Sequence, residues 1–157
     1  MKRSTRSGKS LSHGGAASAQ RRTFGGELTQ KLSNSAGGIS VAQVRKGLPM
    51  QALDTMAQTL QVDRAELAEV LGTSIRTLQR KAGDNDRLGP AASDRLARVQ
   101  RILQLAEHVL GDTAKAALWL TTPSRILNDT PLKMLDTDIG TQRVQQELHQ
   151  IEFGMPA

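Results

Sequence analysis

The side chains best placed to do chemistry in this chain are Arg76, Thr77, Gln79, Arg80 and Lys81, the outward positions of one short predicted helix. Arginine presents a planar fork that matches the O6 and N7 acceptors of guanine. Glutamine matches the paired donor and acceptor of adenine, a threonine hydroxyl can meet a base edge or a phosphate, and lysine meets phosphate oxygens, so Arg76, Thr77, Gln79 and Arg80 are expected to read the major groove. Ser74 stands at the expected N-cap of the same helix, where it either caps the first turn or touches phosphate. The residues just before it complete a helix-turn-helix pattern. Ala68 is the small residue required where two crossing helices touch, Gly72 tolerates positive φ in the turn, and Leu67, Leu71, Ile75 and Leu78 are the apolar anchors. Spacing and side-chain chemistry together point to reading of double-stranded DNA in the major groove, against the plainer alternative of a helical hairpin with a solvated polar face.

Other reactive constellations are absent from the sequence. His13, His108 and His149 are scattered, and no His pairs at i, i+4 with a second His or with a Glu base. Glu147 and Glu152 lie five residues apart, about 140° around a helix, so they do not share a face. No glycine-rich loop follows a strand. With no cysteine there is no disulfide, thiolate metal site or Cys nucleophile. No catalytic residue, metal or cofactor is therefore expected. A small enzyme built on the His or carboxylate side chains is the remote rival reading.

The elements that must position the DNA-reading residues are helical. Ile39 to Lys46 reads as a short strand or a helical turn ended by Gly47, with Pro49 suited to the first position of the next helix. Leu53, Met56, Ala57 and Leu60 mark a helix over 49–61. Asp63 and Glu66 form a capping-box pattern for the helix through Leu67, Val70 and Leu71. The recognition helix is expected over 75–82, followed by a polar loop from Gly83 to Pro90. Ser93 or Asp94 is expected to cap a long helix over 93–110 with a narrow stripe of Leu96, Val99, Leu103, Ala106 and Leu110. That stripe is too short to persuade as a coiled-coil seam and reads as internal core. Asp112 caps a helix carrying Leu118, Trp119 and Leu120, with Trp119 packing inward. Thr130-Pro131 opens one or two turns, and Thr137 starts a last helix with Ile139, Val144, Leu148 and Ile151 inward.

The 157 residues carry 21 Lys and Arg against 15 Asp and Glu, and the resulting +6 is unevenly placed. Residues 1–38, rich in Ser and Gly, hold seven basic side chains against Glu27 alone, while residues 39–157 are neutral. The first segment reads as a basic arm. Its acid-poor start shares composition with an organellar transit peptide but lacks the amphipathic periodicity. Residues 76–101 are net basic and residues 102–157 net acidic, which suggests a DNA-facing front and a back that meets a protein. Only Phe24, Trp119 and Phe153 are aromatic, against base-stacking platforms. No apolar run is long enough to span a membrane, and the expected setting is the cytoplasm of a bacterium.

The second half of the chain narrows the reading. Trp119-Leu120, Pro123, Leu127, Thr130-Pro131-Leu132, Leu135, Thr137, Gly140, Val144, Leu148, Ile151 and Gly154 resemble the signature of the Xre/ParS/MbcA-type antitoxins. Gly47-Leu48, the helix-turn-helix, Leu88, Ser93, Arg95-Leu96, Ala106 and Gly111 agree with it, so the resemblance spans about residues 44–155. Ser124 stands where an Asn is common, and Asn128-Asp129 replace a glycine-containing turn. The resemblance implies a RES-domain toxin partner that consumes NAD or uses it for ADP-ribosylation. It also implies a C-terminal domain that blocks that toxin, and repression of the shared operon as a homodimer or in complex. Ser124, Arg125, Asn128 and Asp129 are then candidate toxin contacts, together with Phe153, Gly154, Met155, Pro156 and Ala157. From the residues alone, that apolar terminus is either an extended tail that enters a cleft or a frayed end.

The expected architecture is all-α: an arm over 1–38, a helix-turn-helix domain over 39–90, and a helical toxin-binding domain over 91–157. The alternative function is a stand-alone transcription regulator with no toxin.

Overall fold

A computed structural model describes residues 38–84 and 86–154; the arm lies outside them, as do Met155, Pro156 and Ala157. The described residues are helical and contain no strand, in agreement with the all-α expectation. The order is α1 (Val41–Lys46), α2 (Met50–Leu60), α3 (Arg64–Val70), α4 (Ile75–Asp84), α5 (Pro90–Leu110), α6 (Thr113–Thr121), α7 (Pro131–Met134) and α8 (Asp138–Glu152).

The segment left open between strand and turn is the helix α1. Ser40 and Gln43 close a reciprocal capping box, with Ser40 Oγ accepting from the Gln43 amide and Gln43 Oε1 accepting from the Ser40 amide. None of its residues is buried; it lies against α5. Past Gly47 the chain is stitched to the segment before α5. The Leu88 amide donates to the Leu48 carbonyl at 2.8 Å, the Met50 amide to the Asp86 carbonyl at 2.9 Å, and Arg87 Nη1 to the Gly47 carbonyl at 2.7 Å.

This stitching revises the start of the long helix. α5 begins at Pro90 with Gly89 as its N-cap, and Ser93 lies buried inside the first turn, where its hydroxyl accepts the Leu48 amide at 2.8 Å. Proline occupies the first helical position because its missing N–H would be unpaired there anyway. Pro49, by contrast, is the N-cap of α2 rather than its first residue. Asp63 is the N-cap of α3 by backbone conformation, but its side chain makes no capping bond, so the capping box predicted with Glu66 does not form. The recognition helix α4 runs two residues further than predicted, to Asp84.

α5 spans 21 residues, about 31 Å at 1.5 Å per residue, and is the axis of the molecule. α1, α6 and α8 pack on it, α2 packs on α3 and α6, and α7 joins α3, α6 and α8. Its buried side is wider than the predicted stripe, since Ala92, Ser93, Gln100 and Ile102 are buried beside Leu96, Val99, Leu103 and Ala106. Leu110 is only half-buried. A helix covered on several sides buries a broad arc, whereas a two-helix seam buries only a narrow one. The buried side chains from α2 to α8 form one cluster.

In α6, Ala116, Ala117 and Leu120 are buried and Trp119 packs half-buried against them, but Leu118 is 68% exposed. In α8, Val144 and Leu148 are buried as predicted, whereas Ile139 is 74% exposed and Ile151 is 42% exposed. Ile139 lies about 140° around the helix from Val144. Ile151 shares Val144's side but sits in the last turn, beyond Leu148, the final buried residue of α8. Gly140, Thr141 and Glu147 complete the inward face instead.

Candidate DNA-reading face and toxin-binding region

The helix-turn-helix is α3, the turn Leu71–Ser74, and α4. Ala68 is buried at the crossing, and the Thr73 amide donates to its carbonyl at 3.0 Å, folding the chain back over the end of α3. Gly72 has φ +67° and its amide donates to the Glu69 carbonyl at 2.8 Å, the αL stop that glycine makes without penalty. Ser74 Oγ accepts the Thr77 amide at 3.2 Å, so Ser74 does cap the recognition helix. Leu67, Leu71 and Leu78 are buried and Ile75 is half-buried against them.

The predicted reading residues separate into two groups. Arg76, Gln79 and Arg80 are exposed and fall within about 100° of the helix circumference. Thr77 is half-buried and its hydroxyl is bonded to that of Ser74 at 3.0 Å. Lys81 is also half-buried, with its ammonium close against Gly89. The predicted reading residues that are exposed and share one side of α4 are therefore Arg76, Gln79 and Arg80.

Charge supports that strip less broadly than the sequence suggested. Three of the arginines between 76 and 101 are spent inside the molecule. Arg87 donates to the Gly47 carbonyl, and Arg95 Nη1 to the Leu71 carbonyl at 2.9 Å. Arg98 holds Asp94 at 3.2 Å and reaches toward the Leu135 carbonyl at 3.4 Å. Each satisfies a carbonyl that ends a helix or turn, a role that net charge cannot distinguish from phosphate binding.

The C-terminal candidates are built on a short closed loop between α6 and α7. The Ser124 amide donates to the Asp129 carbonyl at 3.0 Å, Asn128 takes φ +56°, and Asp129 Oδ1 accepts the Thr130 amide at 2.7 Å. Asn tolerates that left-handed conformation because its short polar side chain bonds locally, so it does the work of the missing glycine. Ser124 Oγ points inward. It donates to Glu147 Oε1 at 3.0 Å and lies 3.2 and 3.3 Å from the Ile126 and Leu127 amides, which it accepts. Arg125, Asn128 and Asp129 are exposed, as is the neighbouring Ile126. At the end of α8, Phe153 is exposed and stacked on His149, with ring centroids 6.5 Å apart, and Gly154 has φ +61°.

Sequence reasoning weighed Glu147 only as a possible partner of Glu152 and missed its place, buried on α8 and bonded to Ser124 from behind the loop. Its position three residues after Val144, on the apolar side, was the available signal. Folding also brings two of the scattered histidines together: His108 Nε2 lies 3.6 Å from Glu152 Oε1 and His149 Nδ1 lies 3.3 Å from Glu152 Oε2. Each imidazole meets a different carboxylate oxygen, and among the described residues no group of three or more His, Asp or Glu is arranged to hold a metal ion. Likewise among them, no helix is long and apolar enough to cross a membrane. At the cap of α6, the Lys115 amide bonded to Asp112 holds that carboxyl below its ordinary value.

Comparison with known proteins agrees with this geometry. Residues 40–101 match the antitoxin Xre-like helix-turn-helix domain, and residues 105–154 match the antitoxin Xre/MbcA/ParS C-terminal toxin-binding domain. The two matched regions meet within α5. A protein named Antitoxin Xre from Yersinia enterocolitica is 28% identical over 126 residues, covering 79% of this chain and 85% of that one. Another of the same name from Pseudomonas putida is 40% identical over 81 residues, covering 51% of each. With a helix-turn-helix and a toxin-binding region in the family's order, the chain belongs to the Xre/MbcA/ParS antitoxin family.

Proposed function

We propose that this chain neutralises a RES-domain toxin and represses its own operon through α4, acting as a homodimer within a larger toxin–antitoxin complex in the bacterial cytoplasm. The observation that carries the reading is the exposed Arg76, Gln79 and Arg80 strip on the second helix of a helix-turn-helix, in a chain whose residues 105–154 match a toxin-binding domain. Arg76, Gln79 and Arg80 read base edges. Ser74, Thr77 and Lys81, nearer the packed side of α4, fix the helix and meet the phosphate backbone. Residues 39–90 serve DNA and residues 91–157 serve the toxin.

Arg125, Asn128 and Asp129 contact the toxin directly, with Ser124 holding the loop in shape. Ile126 and Leu118 add apolar area, and Phe153 and Gly154 lead into the terminal Met155, Pro156 and Ala157, which close the toxin's NAD site.

Co-purification with the RES-domain product of a neighbouring reading frame, together with Arg76→Ala and Arg80→Ala, tests the whole. A lost base-reading arginine costs about 1–3 kcal/mol, so each variant should bind operator roughly 5- to 150-fold more weakly while holding the toxin unchanged. Failure to capture a RES-domain protein would overturn the toxin assignment. Equal loss of both activities would overturn the surface assignment. Deleting Met155–Ala157 should weaken neutralisation and leave operator binding intact; full protection of cells by the truncated chain would remove the tail from the interface.

A further inference from the structure

We propose that Arg95 is a positioning residue for operator recognition: from α5 it holds the turn between α3 and α4 at its working angle and touches no phosphate itself. The proposal rests on the DNA-reading assignment of α4.

Three observations carry it. Arg95 Nη1 donates to the Leu71 carbonyl at 2.9 Å, and Leu71 is the residue that ends α3. A carbonyl at a helix C-terminus lacks an intrahelical partner and carries the negative end of the helix dipole, so a guanidinium suits it both as donor and as charge. Second, the guanidinium occupies the space that a Cβ on Gly72 would take, with the Arg95 Nη1 and Cζ atoms inside contact distance of that position. Gly72 is therefore required twice, for φ +67° and for the room it leaves the arginine. Third, Arg95 is half-buried and has no carboxylate within ion-pair distance among the described residues. Its neighbours on α5, Leu96 and Val99, are fully buried and fix the helix that bears it. The side chain is thus braced from a packed helix onto the one joint that sets the direction of α4.

A flat fork can donate to a carbonyl and cover the glycine face at once; an ammonium can do only the first. Release of this contact loosens the turn, and the Arg76, Gln79 and Arg80 strip then meets the groove from a spread of angles.

The test is the salt dependence of binding to the DNA fragment upstream of the chain's own reading frame. Full-length protein is used, well below its unfolding midpoint, with Arg95→Gln, Arg95→Lys and Arg80→Ala compared. Each lost phosphate contact lowers the slope of log K against log salt by about 1, whereas a positioning residue leaves the slope alone. Arg95→Gln should weaken operator binding about tenfold or more with an unchanged slope and an unchanged affinity for random-sequence DNA. Arg95→Lys should lose less, again with no change in slope. In the DNA-free protein, the Leu78 amide, which donates to Ser74 across the first turn of α4, should exchange faster in Arg95→Gln. A slope lowered by about 1 in either Arg95 variant would mean that Arg95 meets phosphate, and wild-type affinity in Arg95→Gln would mean that the brace is idle; either result overturns the proposal while leaving the DNA-reading assignment intact. If the wild-type chain does not prefer its upstream fragment to random DNA, the reading assignment itself falls and the proposal falls with it.

Discussion

Replacing Ser124 by alanine removes the one hydroxyl that ties the 124–129 loop to α8. In the native chain this hydroxyl donates to Glu147, a carboxylate only 6% exposed, and accepts two amides of its own loop. The Ile126 and Leu127 amides lie near the surface, where water replaces the lost acceptor at little cost. Glu147 is different. A buried charged acceptor deprived of its donor costs about 1.5–3 kcal/mol. Taking about 2 kcal/mol, and about 4 °C of midpoint per kcal/mol for a domain of this size, Ser124→Ala should melt about 8 °C below the wild type. Thermal and urea unfolding of Ser124→Ala, Glu147→Ala and the double variant give the coupling between the two side chains, expected at 1 kcal/mol or more. Glu147→Gln keeps an acceptor and should lose less than Glu147→Ala. Additivity of the two single changes within about 0.4 kcal/mol would refute the argument, because the hydroxyl and the carboxylate would then act independently. If the loop docks the toxin as proposed, Ser124→Ala also weakens toxin binding without removing a contact, since Arg125 and Asn128 lose their common mount.

Other perturbations are simpler. Gly140→Ala places a Cβ against the backbone carbonyl of Met134, where α8 closes on α7, and should cost about 1–3 kcal/mol in urea unfolding. Leu118→Ser, at a side chain 68% exposed, should change folding stability by no more than about 0.5 kcal/mol yet weaken toxin binding measured by calorimetry. For Asp112, the carboxyl is held below its ordinary value of 3.8 when folded, so its stabilisation is present above that pH and is lost as pH falls through the folded value. The difference in melting point between wild type and Asp112→Ala should therefore be full at neutral pH and shrink only as the pH falls below 3.8.

Much of this molecule is legible along the chain because its signals are local. Helix periodicity, the Ser74 cap, the Asp112 and Thr137 caps and the glycine stop at Gly72 all depend on residues three or four apart, which one helical turn brings together whatever else happens. Those signals fix the helical class and place Arg76, Thr77, Gln79, Arg80 and Lys81 together on α4, while packing left only Arg76, Gln79 and Arg80 of them exposed. Tertiary packing decided the rest. Whether an arginine serves phosphate or a carbonyl is a question of what lies opposite, and Arg87, Arg95 and Arg98 find their partners 40, 24 and 37 residues away. Ser93, read as a helix cap, became a buried acceptor for Leu48, 45 residues distant. Glu147 and Ser124 meet across 23 residues; the exposure of Ile139, by contrast, follows from its 140° offset from Val144 and was open to the sequence. Local hydrogen bonds and periodicity choose the helices; the partners of polar and charged side chains are chosen by non-local contacts, which only the folded chain brings into being.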